Sequence, residues 1–140
     1  MSIDFNSVKR SYGRCVITGE SKKTFFTTFY NKFLASDPAI KAKFETTEFE
    51  KQITMLKNAI SMAILYVEKQ DDLALDVLTR IRHSHSRARL DINPKYYKNW
   101  LESLIDTLKK CDPQFNVQLE ADWRDMLTVI IDYIKDGYDE

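Results

Sequence analysis

Apolar side chains return every three or four residues along almost the whole chain. Phe26, Tyr30 and Phe33 fall on one helical face. So do Phe49, Gln52, Leu56, Ala59 and Ala63, then Leu78, Ile81 and His85, then Tyr97, Leu101, Leu104 and Leu108, and finally Trp123, Leu127, Ile130 and Ile134. A stripe of that period buries itself as an amphipathic α-helix, because residues three and four apart lie on the same side at 3.6 residues per turn. Little in the chain favours another solution: 3 Gly and 3 Pro in 140 residues are too few turn residues for a sandwich or a barrel. Every proline follows Asp or Asn, at Asp37-Pro38, Asn93-Pro94 and Asp112-Pro113. That pairing starts helices, since Pro fits the first turn and the polar side chain before it caps the free N–H groups. The spacing predicts an all-α chain of about seven helices, near residues 4–17, 21–36, 38–43, 47–69, 72–88, 94–110 and 116–137, in a single domain over 1–140.

Composition narrows the function classes. Lys and Arg total 21 against 21 Asp and Glu, a net charge of +0, without the basic excess of a general nucleic-acid or anionic-membrane binder. Cys15 and Cys111 make neither a disulfide framework nor a CxxC metal site, and read as reduced thiols. The opening MSIDFNSVKR lacks the apolar stretch of a signal peptide, and the longest apolar runs, such as Met62 to Val67, are too short to span a bilayer. The expectation is a cytoplasmic protein, monomeric or homodimeric, that engages neither nucleic acid nor membrane. With 2 His, zinc sites built from several imidazoles are excluded. No Ser-His-Asp set, Gly-rich phosphate loop or carboxylate pair stands out, and the acidic residues read as solvated-face charges.

Polar groups interrupt three of the apolar faces. His85 lies four residues after Ile81 and seven after Leu78, so it faces the core near the end of its helix, whereas His83 is roughly 200° around the helix among Thr79, Arg80 and Ser86. An inward histidine is either satisfied by a carbonyl or ligates a metal or haem iron. Gln52 shares its face with Phe49 and Leu56, where a buried amide without partners costs about 1–3 kcal/mol, so it sits at the edge of the stripe or meets a partner or ligand. Tyr30 offers a hydroxyl on the Phe26–Phe33 face, and Phe44 ends the short segment after Pro38, where an anchor between helices is expected. Arg80, Arg82, Arg87 and Arg89 straddle His85 and read as a solvated helix end.

Tyr, Phe, Gln and His in this order on a helical chain of this length resemble a globin, most of all the bacterial single-domain haemoglobins and the globin domain of flavohaemoglobins. Phe29 to Pro38 is similar to that family's second helix, with Tyr30 as its ligand-facing tyrosine. Phe44 matches the phenylalanine that stacks on haem. Gln52 to Ile60 resembles the distal helix, with Leu56 four residues after Gln52. His85-Ser86-Arg87, followed by Ile92 to Tyr97, resembles the proximal segment and the turn into the next helix, and Ala121-Asp122-Trp123-Arg124 the start of the last one. The stretch from His85 to Tyr97 is somewhat longer than in flavohaemoglobins. A one-residue rotation of the distal helix would bring Lys51 and Met55 to the pocket in place of Gln52 and Leu56.

The resemblance implies a globin fold of about seven helices sandwiching one haem b. His85 would be the iron ligand, with Phe44, Tyr30, Gln52, Leu56, Ile92 and Tyr97 around the cofactor. CxxCH is absent, so covalent haem attachment is not expected. The implied ligands are O2, NO and CO at an open or water-filled sixth position. The implied functions are reversible O2 binding, NO dioxygenation with a separate external reductase, or haem-based gas sensing and signalling.

Overall fold

Residues 2–140 are described in a computed structural model. Among them the chain forms seven α-helices and no strand. They are α1 (Phe5–Val16), α2 (Gly19–Ala35), α3 (Pro38–Lys43), α4 (Phe49–Lys69), α5 (Asp72–Ser84), α6 (Tyr97–Cys111) and α7 (Val117–Lys135), with a 3-10 turn, Pro94–Tyr96, leading into α6. The starts are built by short polar side chains. Asp4, Asp37, Asp71 and Asn116 each accept a hydrogen bond from a backbone N–H of the first turn, and Thr18 forms a reciprocal capping box with Ser21. Asp112-Pro113 does not start a helix as the sequence suggests. Asp112 ends α6, and Asn116 takes the cap of α7 through the Leu119 N–H at 2.8 Å.

α2 packs on α6, and α4 on α5 and α7, while α2 and α4 make little contact with one another. The two pairs enclose a slot between them that α7 closes from below. Phe25, Phe26 and Phe29 of α2, Leu104, Ile105 and Leu108 of α6, and Trp123, Met126 and Leu127 of α7 fill the core beside it and are essentially inaccessible to water.

The acidic residues are not all solvated: Asp112 and Asp122 are each 2 % exposed. Asp112 accepts from Arg14 Nε (2.7 Å) and Nη2 (2.9 Å), from Ser11 Oγ (2.7 Å) and from the Gln114 N–H (2.9 Å). Ser11 Oγ in turn accepts from Trp123 Nε1 at 3.1 Å. This network ties α1 to the α6–α7 corner and to α7. Burial by itself would raise the Asp112 carboxyl pKa, but its donors outweigh burial and hold it below the ordinary 3.8. Asp112→Ala leaves Arg14 without its acceptors in a mostly buried site, and should lower the unfolding free energy by about 3–5 kcal/mol in urea titrations. The sign of the pH dependence follows from the depressed value. The contribution is complete above pH 3.8, the unfolded value, and is lost as pH falls through the lower folded value. Asp112→Asn should therefore show a shallower loss of stability below that pH.

α5 ends at Ser84, several residues before the expected boundary, and His85 is its C-cap. The following loop folds on its own backbone, with Leu90 N on Ser84 O (3.0 Å), Asp91 N on Ser86 O (2.9 Å) and Ile92 N on His85 O (3.2 Å). Asp91 takes the left-handed conformation at φ 52°. Two of the arginines read as a solvated helix end also bond the segment after α7, Arg82 largely covered and Arg87 still exposed to solvent. Arg82 bonds Glu140 and the Tyr133 carbonyl (2.7 Å), and Arg87 bonds Asp139 (3.0 Å) while its N–H meets the Tyr138 carbonyl (2.8 Å). Tyr138 donates to Asp91. Gly137 lies beneath this clasp, and a Cβ there would force the Arg82 side chain to shift.

Candidate functional site

The slot is an apolar cavity with about 1210 Å3 of unfilled space, its mouth included. All seven residues singled out in the sequence line it: Tyr30, Phe44, Gln52, Leu56, His85, Ile92 and Tyr97.

His85 reaches the slot from just beyond α5. Ser84 Oγ donates to the Ile81 carbonyl at 3.0 Å, so a lone pair on Oγ faces His85 Nδ1, also at 3.0 Å. That arrangement favours the proton on Nδ1 and leaves the Nε2 lone pair free. Burial lowers the imidazole pKa below 6.5, with the Ile81 carbonyl pulling weakly the other way, so the neutral form is favoured. His83, two residues earlier, is exposed and does not line the slot.

Tyr30 comes from α2 and Gln52 from α4. Tyr30 is 5 % exposed. Burial pushes its phenol up to about 12, and the Gln52 side chain pulls slightly in the opposite direction. The phenol therefore stays protonated and able to donate throughout the physiological range. Phe44 caps α3 within an aromatic wall, its ring centroid 6.0 Å from Tyr30, 6.0 Å from Phe33 and 6.2 Å from Phe49. Tyr97 opens α6, and its phenol is likewise pushed up to about 12 by burial. Of the alternative distal pair, Met55 lines the mouth beside Gln52 and Leu56, while Lys51 points away, with its side chain 80 % exposed and paired to Glu48 at 3.0 Å.

Other lining residues were not read as cofactor neighbours. Trp100 is three residues after Tyr97, so its helical phase was legible. Lys43 gave no sequence signal: a lysine in a short helix reads as solvated, yet its ammonium donates to the Leu90 carbonyl at 2.9 Å across the mouth. Leu127, Ile130, Ile131 and Ile134 floor the slot.

The donor set suits one kind of guest. One neutral imidazole with a free nitrogen projects into a deep apolar slot, and no group of three His, Cys, Asp or Glu capable of holding a bare metal ion occurs among the described residues. A flat apolar macrocycle that brings its own equatorial nitrogens and needs one axial ligand fits these residues, and haem is such a group.

The sequence pattern of the Globin family matches residues 27–134. The chain is also similar to a Pseudomonas aeruginosa PAO1 protein whose crystal structure is described as structurally highly homologous to a human haemoglobin. The two are 35 % identical over 97 % of this chain and 98 % of that one, with a TM-score of 0.88. No curated protein sequence matches the chain. No helix among the described residues is long and apolar enough to cross a membrane. Fold, slot, family pattern and structural likeness agree: the chain belongs to the globin family.

Proposed function

We propose that this globin holds one haem b in the slot and binds O2 reversibly in the cytoplasm, with NO and CO as competing ligands. The observation that carries this reading is the convergence, in one apolar slot, of a neutral imidazole from one wall and the Tyr30–Gln52 pair from two others. Neither cysteine lies in a CxxCH sequence, so retention rests on apolar contact, on the Phe44 ring and on the His85 nitrogen. When bound, haem would supply a ferrous iron able to take up a diatomic gas. His85 would hold that iron from the proximal side, with Ser84 fixing the ring's tautomer. The Tyr30 phenol and the Gln52 amide would supply hydrogen-bond donors to a ligand that gathers negative charge. Leu56, Ile92 and the aromatic wall keep water from competing.

Absorption spectra of the ferric, ferrous and CO-bound forms test the reading. One haem per chain with a Soret band that shifts on reduction and on CO supports it, and purified protein that takes up no haem overturns it. The same slot predicts that Phe44→Ala loosens haem while leaving the iron ligand in place. Removing a fully buried ring costs about 3–5 kcal/mol; the half-buried Phe44 forfeits only part of that, chiefly as cofactor contact, so haem transfer to an apoglobin acceptor should speed up about tenfold. An unchanged transfer rate would place Phe44 away from the porphyrin.

A second reading is favoured by the pairing of Tyr30 with Gln52, two donors that favour tightly held O2. It is the reaction of O2 with NO to nitrate, with one electron per turnover from an external reductase. Nitrate formation in the presence of a reductase and NADH separates it from simple O2 binding.

A further inference from the structure

A second cavity, with about 510 Å3 of unfilled space including its mouth, lies between α1 and the start of α7 and shares no lining residue with the haem slot. Eight of its nine lining residues are polar or charged. The two that decide its chemistry are Asp122 and Arg10.

Asp122 is 2 % exposed and forms no ion pair within 4.0 Å among the described residues. Its one hydrogen bond is a long 3.4 Å contact from Gln118 Nε2 to Oδ1. No fully enclosed side-chain oxygen lacks a partner, so Oδ2, which makes no hydrogen bond within the protein, is not fully enclosed, and Asp122 lines the cavity. The other buried carboxylate, Asp112, has four donors within 2.9 Å. A buried carboxylate so thinly satisfied is costly unless something else donates to it. Arg10 lines the same cavity, and its one hydrogen bond is likewise a long 3.4 Å contact to Ser7 Oγ, with Asp4 near enough to feel its charge.

A carboxylate and a guanidinium thus face one polar space without pairing to each other. A bare anion there would meet Asp122. A metal cation would meet Arg10 and Arg14, and the only other carboxylate lining the cavity, that of Asp4, is already used by the Ser7 N–H and hydroxyl. A guest that satisfies both groups carries a cationic donor at one end and an anionic acceptor at the other. We propose that this cavity is a binding site for a small zwitterion of the α-amino-acid type, its ammonium on Asp122 and its carboxylate on Arg10.

The proposal is independent of what the haem slot does, and its test uses the haem-loaded protein. Saturation-transfer NMR and calorimetry would be run with a panel of free L-amino acids, with the matching N-acetyl amino acids lacking the ammonium, and with the amino-acid amides lacking the carboxylate. At least one free amino acid should bind, and each truncated analogue should bind about ten- to a hundredfold more weakly, the loss expected for a charge-assisted hydrogen bond. Arg10→Gln, an exposed position, should abolish the carboxylate preference while leaving the Soret spectrum and thermal midpoint unchanged. Asp122→Asn should abolish the ammonium preference. The proposal is overturned by absence of binding up to about 10 mM across the panel, by equal binding of the truncated analogues, by unaltered binding in Arg10→Gln, or by a crystal structure grown with the panel in which ordered water alone fills the cavity.

Discussion

His85→Ala, expressed and reconstituted in parallel with the wild-type chain, should yield protein that either fails to retain haem or holds it without imidazole ligation. His83→Ala should be indistinguishable from wild type in haem stoichiometry and ferrous spectrum. The contrast rests on position: His85 lines the slot and has Ser84 on its Nδ1, whereas the His83 side chain is exposed. Since the His85 side chain contributes one slot-facing ring and one bond to Ser84, far-ultraviolet circular dichroism should show His85→Ala still helical. Added imidazole should restore the ferrous spectrum of the variant by entering the space the side chain has left. Loss of imidazole ligation in His83→Ala instead would mean that the end of α5 is rotated relative to the slot. The haem-free wild-type chain should also lose stability on acidification. The folded imidazole pKa lies below 6.5, so its contribution to stability is complete above the unfolded value and declines as pH falls below it.

Tyr30→Phe should speed O2 dissociation about ten- to a hundredfold and leave CO dissociation nearly unchanged. O2 gathers negative charge when held and accepts a hydrogen bond well, whereas CO stays nearly neutral and accepts poorly. A hydrogen bond to a charged acceptor contributes roughly 1.5–3 kcal/mol, which sets the size of the effect. Gln52→Leu should act in the same direction but less, because the phenol is the more deeply buried donor, at 5 % exposure. Stopped-flow O2 displacement and replacement of CO by NO on both variants give the four rates. Equal, small changes for both gases would mean that neither side chain reaches the ligand, and the dioxygenase reading would lose its support.

Much of this fold was readable because each stripe reports on a single helix. Leu104 and Leu108, or Trp123, Leu127, Ile130 and Ile134, are buried together as their spacing implies. Contacts distant in sequence were not readable. Asp112 is held by Arg14 and Ser11 from α1, at sequence separations of 98 and 101, and nothing beside it in the chain distinguishes it from a surface aspartate. The early end of α5 has a local cause that periodicity does not register. Ser84 and Ser86 supply hydroxyl and carbonyl groups that bond within the turn, and such residues compete with the helix for its own backbone. The apolar spacing therefore runs on to His85 while the helix stops at Ser84. The seven residues expected around a cofactor all line the slot, whereas Lys43 was invisible because its position depends on a carbonyl 47 residues away.

The tie among Ser11, Arg14, Asp112 and Trp123 has no member in the wall of the haem slot, and its hydrogen bonds are complete without any guest. α4 and α5, by contrast, pack on each other and on α7 and turn apolar residues such as Leu56, Ile60, Leu78 and Ile81 toward the slot. The tie between α1, the α6–α7 corner and α7 thus rests on protein groups alone, whereas the α4 and α5 walls face a space whose apolar surface only a guest would cover.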